Sequence, residues 1–402
     1  MGGRWPPTWE AGGRVAFPSI HCMAPHRSAL DCSSMNLLFV LGTRPEAVKV
    51  APVIAAFRAQ GAWANVQTLL TDQHRDMVEP ILRLFDIAPD IRLNLMRKGQ
   101  RPLPLAARVM AEMDRVLSAM RPDLVVVQGD TTSAMGAAMA ASTTKSRVAH
   151  IEAGLRTDDR YSPFPEEMNR RIITQLATLH FAATNANRDR LLAENVPAQS
   201  IAVTGNPVID TLQRITSTRP PAAGTAPSRR TILLTTHRRE NFGVPQANIL
   251  KSVGLIVERF ADVEVVVPVH PNPEVRRAVR QHLPSHPRIH QIAPLNYPEF
   301  IQLMARAFLV MTDSGGVQEE APALGKPVIV LRTETEREEV VESGNGMMVP
   351  LESEAIASAV AGLLTDAKLY RRMSRKAFPF GKGNAAAKIV REVKKWAKGL
   401  RG

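Results

Sequence analysis

The stretch TDSGGVQEE, residues 312–320, ends an apolar, strand-like run in two glycines and at once begins a helical pattern. Such a start points the N–H groups of Gly315, Gly316 and Val317 outward, Ser314 adds a hydroxyl, and the positive end of the helix dipole favours a phosphate. The dipole contributes only about 0.3–1 kcal/mol, up to roughly 2 when partly buried, so tight diphosphate binding needs more donors. Other strand ends supply them. In GTRPEAVKVAP, residues 42–52, Thr43, Pro45 and Glu46 suit a helix start that carries Arg44, with Lys49 about a turn further on. TTHRRENFG places His237, Arg238 and Arg239 past one strand, PVHPNPEV places His270 past the next, and Arg337 follows another, within reach of a phosphate or a ribose. A lone Arg, Lys or His is ordinarily a solvated cation or a structural imidazole. Several at successive strand ends, with Asp313 and Ser314 at a further one, favour a shared cleft and a functional role for His237 ahead of His270.

Carboxylates occupy the corresponding places in the first half. VVVQGDTTS sets Asp130 at a glycine turn, HIEAGLRT sets Glu152 likewise, and SPFPEEMNRR puts Glu166 and Glu167 in the first turn of a helix. For Glu167 a favourable charge at a helix start is explanation enough. Asp130, Glu152 and Glu166 together suit proton transfer at carbon, because buried like charges shift one another's pKa.

The elements that must position these residues alternate between short apolar runs and helical patterns, the signature of βαβ units and parallel sheets. Strands are expected at 36–41, 66–71, 123–128, 147–151, 179–183 and 200–203, then at 231–235, 263–269, 288–292, 308–311 and 328–331. The helix at 165–177 repeats Met168, Ile172, Ile173 and Leu176 at helical spacing, with Glu166, Glu167, Arg170 and Arg171 on its other face. The Pro/Gly/Ala/Ser-rich stretch following residue 217 marks a boundary. At 402 residues the chain suits two domains. The expected division is a tail or misassigned start at 1–34, an α/β domain at 35–206, a second at 207–380 and a terminal helix at 381–402. The site belongs in the cleft between the halves.

Composition excludes several classes. Hydrophobic residues at 45% and charged residues at 22% describe an ordinary globular protein, and no run approaches a membrane span. No membrane insertion and a cytoplasmic location are expected. The only cysteines, Cys22 and Cys32, lie in the N-terminal stretch, without metal spacing. The net charge of +13 is concentrated at the C-terminus, where residues 367–402 carry twelve Lys and Arg against Glu392. No nucleic-acid motif accompanies that basic segment, so a solvated helix face is expected there and no nucleic-acid partner.

GTRPEAVK, QHRDM, QGDTT, HIEAGLRT, YSPFPEEMNR, VTGNPVID, HRRENFG, PVHPNP, TDSGGVQEEAPALGKPV and TER, in this order and spacing, resemble the non-hydrolysing UDP-N-acetylglucosamine 2-epimerases from about Met35 to the last helix. The resemblance implies two Rossmann-like doubly wound domains facing a cleft, similar to the B-type glycosyltransferase fold, with the last helix crossing back to the first domain, and a homodimer. It implies reversible inversion at C2 of UDP-N-acetylglucosamine through elimination of UDP to a bound 2-acetamidoglucal, supplying surface polysaccharide synthesis. By motif match Asp130, Glu152 and Glu166 carry the acid and base work and His237 contacts the diphosphate. Arg44, Lys49, Ser314, Gly315, Gly316, Glu320 and Arg337 fall at nucleotide-binding positions, with Glu320 on the ribose and Phe300 near the uracil. Gln73, Arg238 and His270 match positions where some relatives bind a second UDP-N-acetylglucosamine as activator, whereas Asp76, Gly99 and Glu338 depart from the pattern. No cofactor is expected, since the first loop lacks G-x-G-x-x-G and elimination needs no hydride; nor is a metal. The alternatives are a hydrolysing epimerase, a glycosyltransferase of like architecture, and a UDP-sugar-binding module without turnover.

Overall fold

Among the described residues thirteen parallel strands form two sheets, eleven of them rising from the apolar runs that the sequence marks. The structure, a computed structural model, describes residues 34–72, 75–97, 99–157, 159–218 and 229–400; of residues 75–77 only the backbone is described. The expected tail at 1–34, except Ser34, therefore lies outside the described residues, as do Gln73 and most of the Pro/Gly-rich stretch after residue 217.

The first sheet contains β1 Met35–Leu41, β2 Ala64–Leu70, β3 Ile91–Arg92, β4 Leu124–Gln128, β5 Arg147–Ala153, β6 Leu179–Ala182 and β7 Ile201–Val203, in the order β3-β2-β1-β4-β5-β6-β7. The second contains β8 Arg230–Thr235, β9 Val263–Pro268, β10 Ile289–Ile292, β11 Leu309–Thr312, β12 Val328–Val330 and β13 Gly346–Met348, in the order β10-β9-β8-β11-β12-β13. In each, the winding reverses beside the first strand, between β1 and β4 and between β8 and β11. Helices cover both faces, so the central strands are buried runs such as FVL in β1 and VVV in β4 rather than alternating ones. Two short strands were not legible. β3 and β13 are edge strands whose existence depends on pairing with β2 and β12, too short to show a period of two.

The chain leaves the first sheet through Gly205 and Asn206 into the helix Val208–Thr218, whose Val208, Ile209, Leu212 and Ile215 join a core shared with the helix Arg44–Arg58. Thr211 Oγ1 donates to Val48 O at 2.6 Å across that contact. The last helix, Ala385–Gly399, returns to the first half. Its Lys394 donates to Gln60 at 2.7 Å and lies over the Trp63 ring, and its N-terminal N–H groups of Ala385 and Ala386 are held by Asp210. The helix Glu166–Leu176 departs from its expected pattern. Glu167, Asn169 and Arg170 are buried: Asn169 and Arg170 line the cleft, and Glu167 accepts from Thr157 N–H, Arg170 and Arg171. Among the described residues no helix is long and apolar enough to cross a membrane.

Candidate active site

Both winding reversals open onto one cleft of roughly 680 Å³, lined from the first half by Arg44, Lys49, Asp130, Glu152 and Glu166 and from the second by His237, Ser314, Gly316 and Arg337. Strands end there, and the loops that follow carry the polar groups.

Local rules set each one. After β1, Glu46 reaches back to the N–H groups of Gly42 (2.9 Å) and Thr43 (2.6 Å), and its other oxygen accepts from Thr131 Oγ1 (2.7 Å). Burial raises the Glu46 pKa despite these bonds, and the loop holding Arg44 is thereby clamped to the loop after β4. After β4, Gly129 takes a left-handed φ of 68°, and its carbonyl is bonded by His150 Nε2 at 2.7 Å. The next residue, Asp130, pairs with Arg170 at 2.8 Å. In β5 the register slips at residues 151–153 and Glu152 adopts φ 65°. A non-glycine residue there costs about 1–3 kcal/mol, and the bulge re-aims the carboxylate into the cleft.

The floor of the cleft is a closed network. Glu152 is met by Lys49 Nζ (2.5 Å), Gln128 Nε2 and Asn206 Nδ2 (2.9 Å), with Arg337 at 3.6 Å. Burial alone would raise the Glu152 pKa, but Lys49 and Arg337 outweigh it and hold the carboxyl below its usual range. Glu319 accepts from Arg337 Nε (2.6 Å) and Asn206 (2.8 Å); burial dominates there and its pKa is raised. Glu336 sits among Arg170, Arg332 and Arg337, which overcome its burial and hold it well below the usual carboxylate range. These charges are tolerable without water only because each is matched.

At the mouth, Glu166 differs. Burial and then the charge of Asp130 raise its pKa, so it keeps a proton to higher pH than a free glutamate. His237 is shifted down, since burial outweighs the attraction of Asp313, whose Oδ1 lies 3.4 Å from Nδ1. Asp313 itself does not project into the cleft as expected. It is fully buried and accepts from the N–H groups of His237 and Arg238, from Thr236 and from Asn241, shaping the turn after β8.

The helix Gly315–Ala323 starts as the sequence indicates: the first intrahelical bond from its N-terminus is Gln318 N–H to Ser314 O, ahead of which stand the N–H groups of residues 315–317. A Cβ on Gly315 would lie 2.4 Å from Arg337 Nη1, so the glycine lets the guanidinium rest on the helix start, while at Gly316 nothing lies within 4 Å. One turn on, Glu320 accepts from Tyr297 OH at 2.7 Å; burial, opposed by that bond, pushes its pKa up to about 7. Phe300 and Arg238 also line the cleft.

The expected site residues therefore converge, with two exceptions. His270 is exposed and stacks on His237, ring centroids 5.1 Å apart, without lining the cleft, and Gln73 lies outside the described residues. Gly99 has φ 69°, and Glu338 pairs at the surface with Arg190 at 3.1 Å. Sequence reasoning missed Gln128, Arg170, Asn206, Tyr297, Glu319 and Glu336. Arg170 stood on the polar face of its helix and Glu336 within TER, but nothing in their local spacing announces their partners.

Two doubly wound sheets sharing one cation-lined cleft define an α/β protein of the B-type glycosyltransferase-like fold. The family model for UDP-N-acetylglucosamine 2-epimerase matches residues 56–394. A relative from Thermotoga maritima is 46% identical over 367 residues, 89% of this chain and 96% of its own. The UDP-N-acetylglucosamine 2-epimerase of Bacillus subtilis is 43% identical over 363 residues, covering 89% of this chain and 95% of that protein. The crystal structure of UDP-GlcNAc 2-epimerase from Neisseria meningitidis bound to UDP-GlcNAc superposes with a TM-score of 0.86 at 38% identity, covering 90% of this chain and all of that one. The chain belongs to the UDP-N-acetylglucosamine 2-epimerase family.

Proposed function

We propose that the protein interconverts UDP-N-acetylglucosamine and UDP-N-acetylmannosamine without hydrolysis. In the forward direction a base takes the C2 proton while the C1–O bond breaks, its electrons leaving with UDP and a C1=C2 double bond forming. UDP then adds back to the bound 2-acetamidoglucal as a proton arrives at the opposite face of C2. The observation that carries this reading is the convergence, in one cleft, of Asp130, Glu152 and Glu166 with a helix start that Arg337 covers at Gly315 and that is open at Gly316. Binding a diphosphate alone gains nothing from three carboxylates; eliminating one beside a C–H bond needs both sets.

The electrostatics suit a division of labour. Glu166, with its raised pKa, suits the proton donor, and Glu152, held ionised, and Asp130 suit the acceptor side. Burial shifts His237 toward its neutral form and an adjacent diphosphate would favour the charged one, so it and Arg44 stabilise departing UDP beside Ser314 and Gly316. Glu320, oriented by Tyr297, takes the ribose hydroxyls, and Phe300 packs near the uracil. On this reading the chain divides at 206/207 and 380/381, each half carrying one wall of the cleft, and works in the cytoplasm as a homodimer supplying surface polysaccharide synthesis.

Proton NMR with UDP-N-acetylglucosamine in deuterated water tests the reaction. Deuterium at C2 with UDP-N-acetylmannosamine is expected. Free sugar plus UDP points instead to hydrolysis, and a C2 proton that never exchanges rules out proton-transfer epimerisation.

A further inference from the structure

The chain passes between the two halves at a crossing of two segments, residues 205–206 outbound and 380–381 on the return. Gly205 (φ 87°) and Gly381 (φ 108°) meet there with so little room that a Cβ on Gly205 would lie 3.1 Å from Gly381 Cα. Asn206 N donates to Phe380 O at 2.7 Å, tying the segments together.

The Asn206 side chain is almost fully buried at this crossing. Its Nδ2 donates to Glu152 Oε1 at 2.9 Å and to Glu319 Oε2 at 2.8 Å, while its Oδ1 accepts from Val208 N at 3.2 Å. Both amide protons are thus spent on carboxylates, one from the β5 bulge in the first half and one from the helix Gly315–Ala323 in the second. The other groups facing Glu152 are Lys49 from the helix Arg44–Arg58, Gln128 from the end of β4, and Arg337 and, further off, Arg170. Lys49 and Arg337 supply charge to both acids; Asn206 is the neutral donor that bonds both.

We infer that Asn206 is a positioning residue for the reaction proposed above: from the crossing point it locks Glu152 to Glu319, so the aim of Glu152 depends on how the two halves are held together. The inference rests on that reading of the site. An amide is the side chain suited to this place. A cation would overcharge a floor that already holds Lys49 and Arg337, and an acid would set three carboxylates together.

Two variants separate this role from simple helix capping. Asn206→Asp keeps an acceptor for Val208 N–H but removes the donor, and Asn206→Ser keeps a short capping hydroxyl that cannot span two carboxylates. Each is assayed for C2 exchange by NMR and for UDP binding by calorimetry, with a thermal melt to establish folding. The expected result is a kcat lower by about 10- to 100-fold in both, more in the Asp variant, with UDP affinity within about threefold of wild type. Wild-type kcat in either folded variant overturns the inference, because capping alone then accounts for Asn206; if the Asp variant does not fold, the Ser variant decides. A fall in UDP affinity that accounts for the whole loss also overturns it. Wild-type protein that exchanges no C2 proton overturns the proposed reaction itself, a result distinct from active wild type with unaffected variants.

Discussion

The floor and the mouth of the cleft use the same residue types to opposite ends. On the floor, Glu152, Glu319 and Glu336 are buried and bonded to Lys49, Asn206, Arg332 and Arg337 at 2.5–2.9 Å. At the mouth, Asp130 keeps a quarter of its side chain exposed, Glu166 has its pKa raised, and the helix start at Gly316 faces open space. The difference teaches that the floor fixes the aim and charge of its carboxylates through matched partners, whereas the mouth leaves its groups partly open to whatever enters the cleft. Glu152 lines the cleft from within that network, so its position and charge are set by its partners before a ligand enters.

That contrast can be broken most severely at Glu152. Glu152→Gln leaves Lys49 and Arg337 under-compensated in a dry site, so it is expected to cost about 3–5 kcal/mol of stability as well as turnover; a melt within about 1 kcal/mol of wild type would mean the floor is not a structural network. At the mouth the balance reverses. Glu166→Gln and Asp130→Asn are expected to lower kcat by about 10²–10⁴-fold while changing UDP affinity little, as steady-state kinetics and calorimetry will read; wild-type turnover by Asp130→Asn removes Asp130 from the mechanism.

Glu320 sharpens the comparison through pH. Its folded pKa of about 7 lies above the ordinary glutamate value of 4.5, so between them the native state keeps a proton that the unfolded chain has released. The associated stability is fully present below about 4.5 and is lost as pH rises through about 7. Urea melts at pH 5 and pH 8 should show that Glu320→Gln removes a decline of at most about 3 kcal/mol; equal slopes in both proteins would place Glu320 in water. Gly315→Ala displaces Arg337 from the helix start and is expected to weaken UDP binding about tenfold by calorimetry. The smallest effect belongs to the rim, where Glu338→Gln breaks an exposed pair with Arg190 and should shift stability by less than about 1 kcal/mol.

Much of this was legible in the chain because the information is local. Apolar runs of strand length, the helix start at Gly315, the turn at Asp130 and the first-turn acids at Glu166 and Glu167 are set by neighbours a few residues away, and motif spacing indicated that Gly315, Asp130 and Glu166 serve one site. The bulge at Glu152, the burial of Arg170 and the inward turn of Asp313 were not legible. Each depends on a partner far along the chain: β6 for the bulge, Asp130 and Glu167 for Arg170, the turn after β8 for Asp313.

The sequence by itself determined the two α/β halves, the anion-binding helix start and the carboxylates that face it, since backbone propensity, glycine placement and the period of apolar residues act over a few positions. Only the tertiary structure decided which charges are matched and which are left free. Asn206 meets Glu319 113 positions away, and Lys49 meets Glu152 103 away. The pKa of each group follows from burial and from those distant partners, which no local pattern encodes.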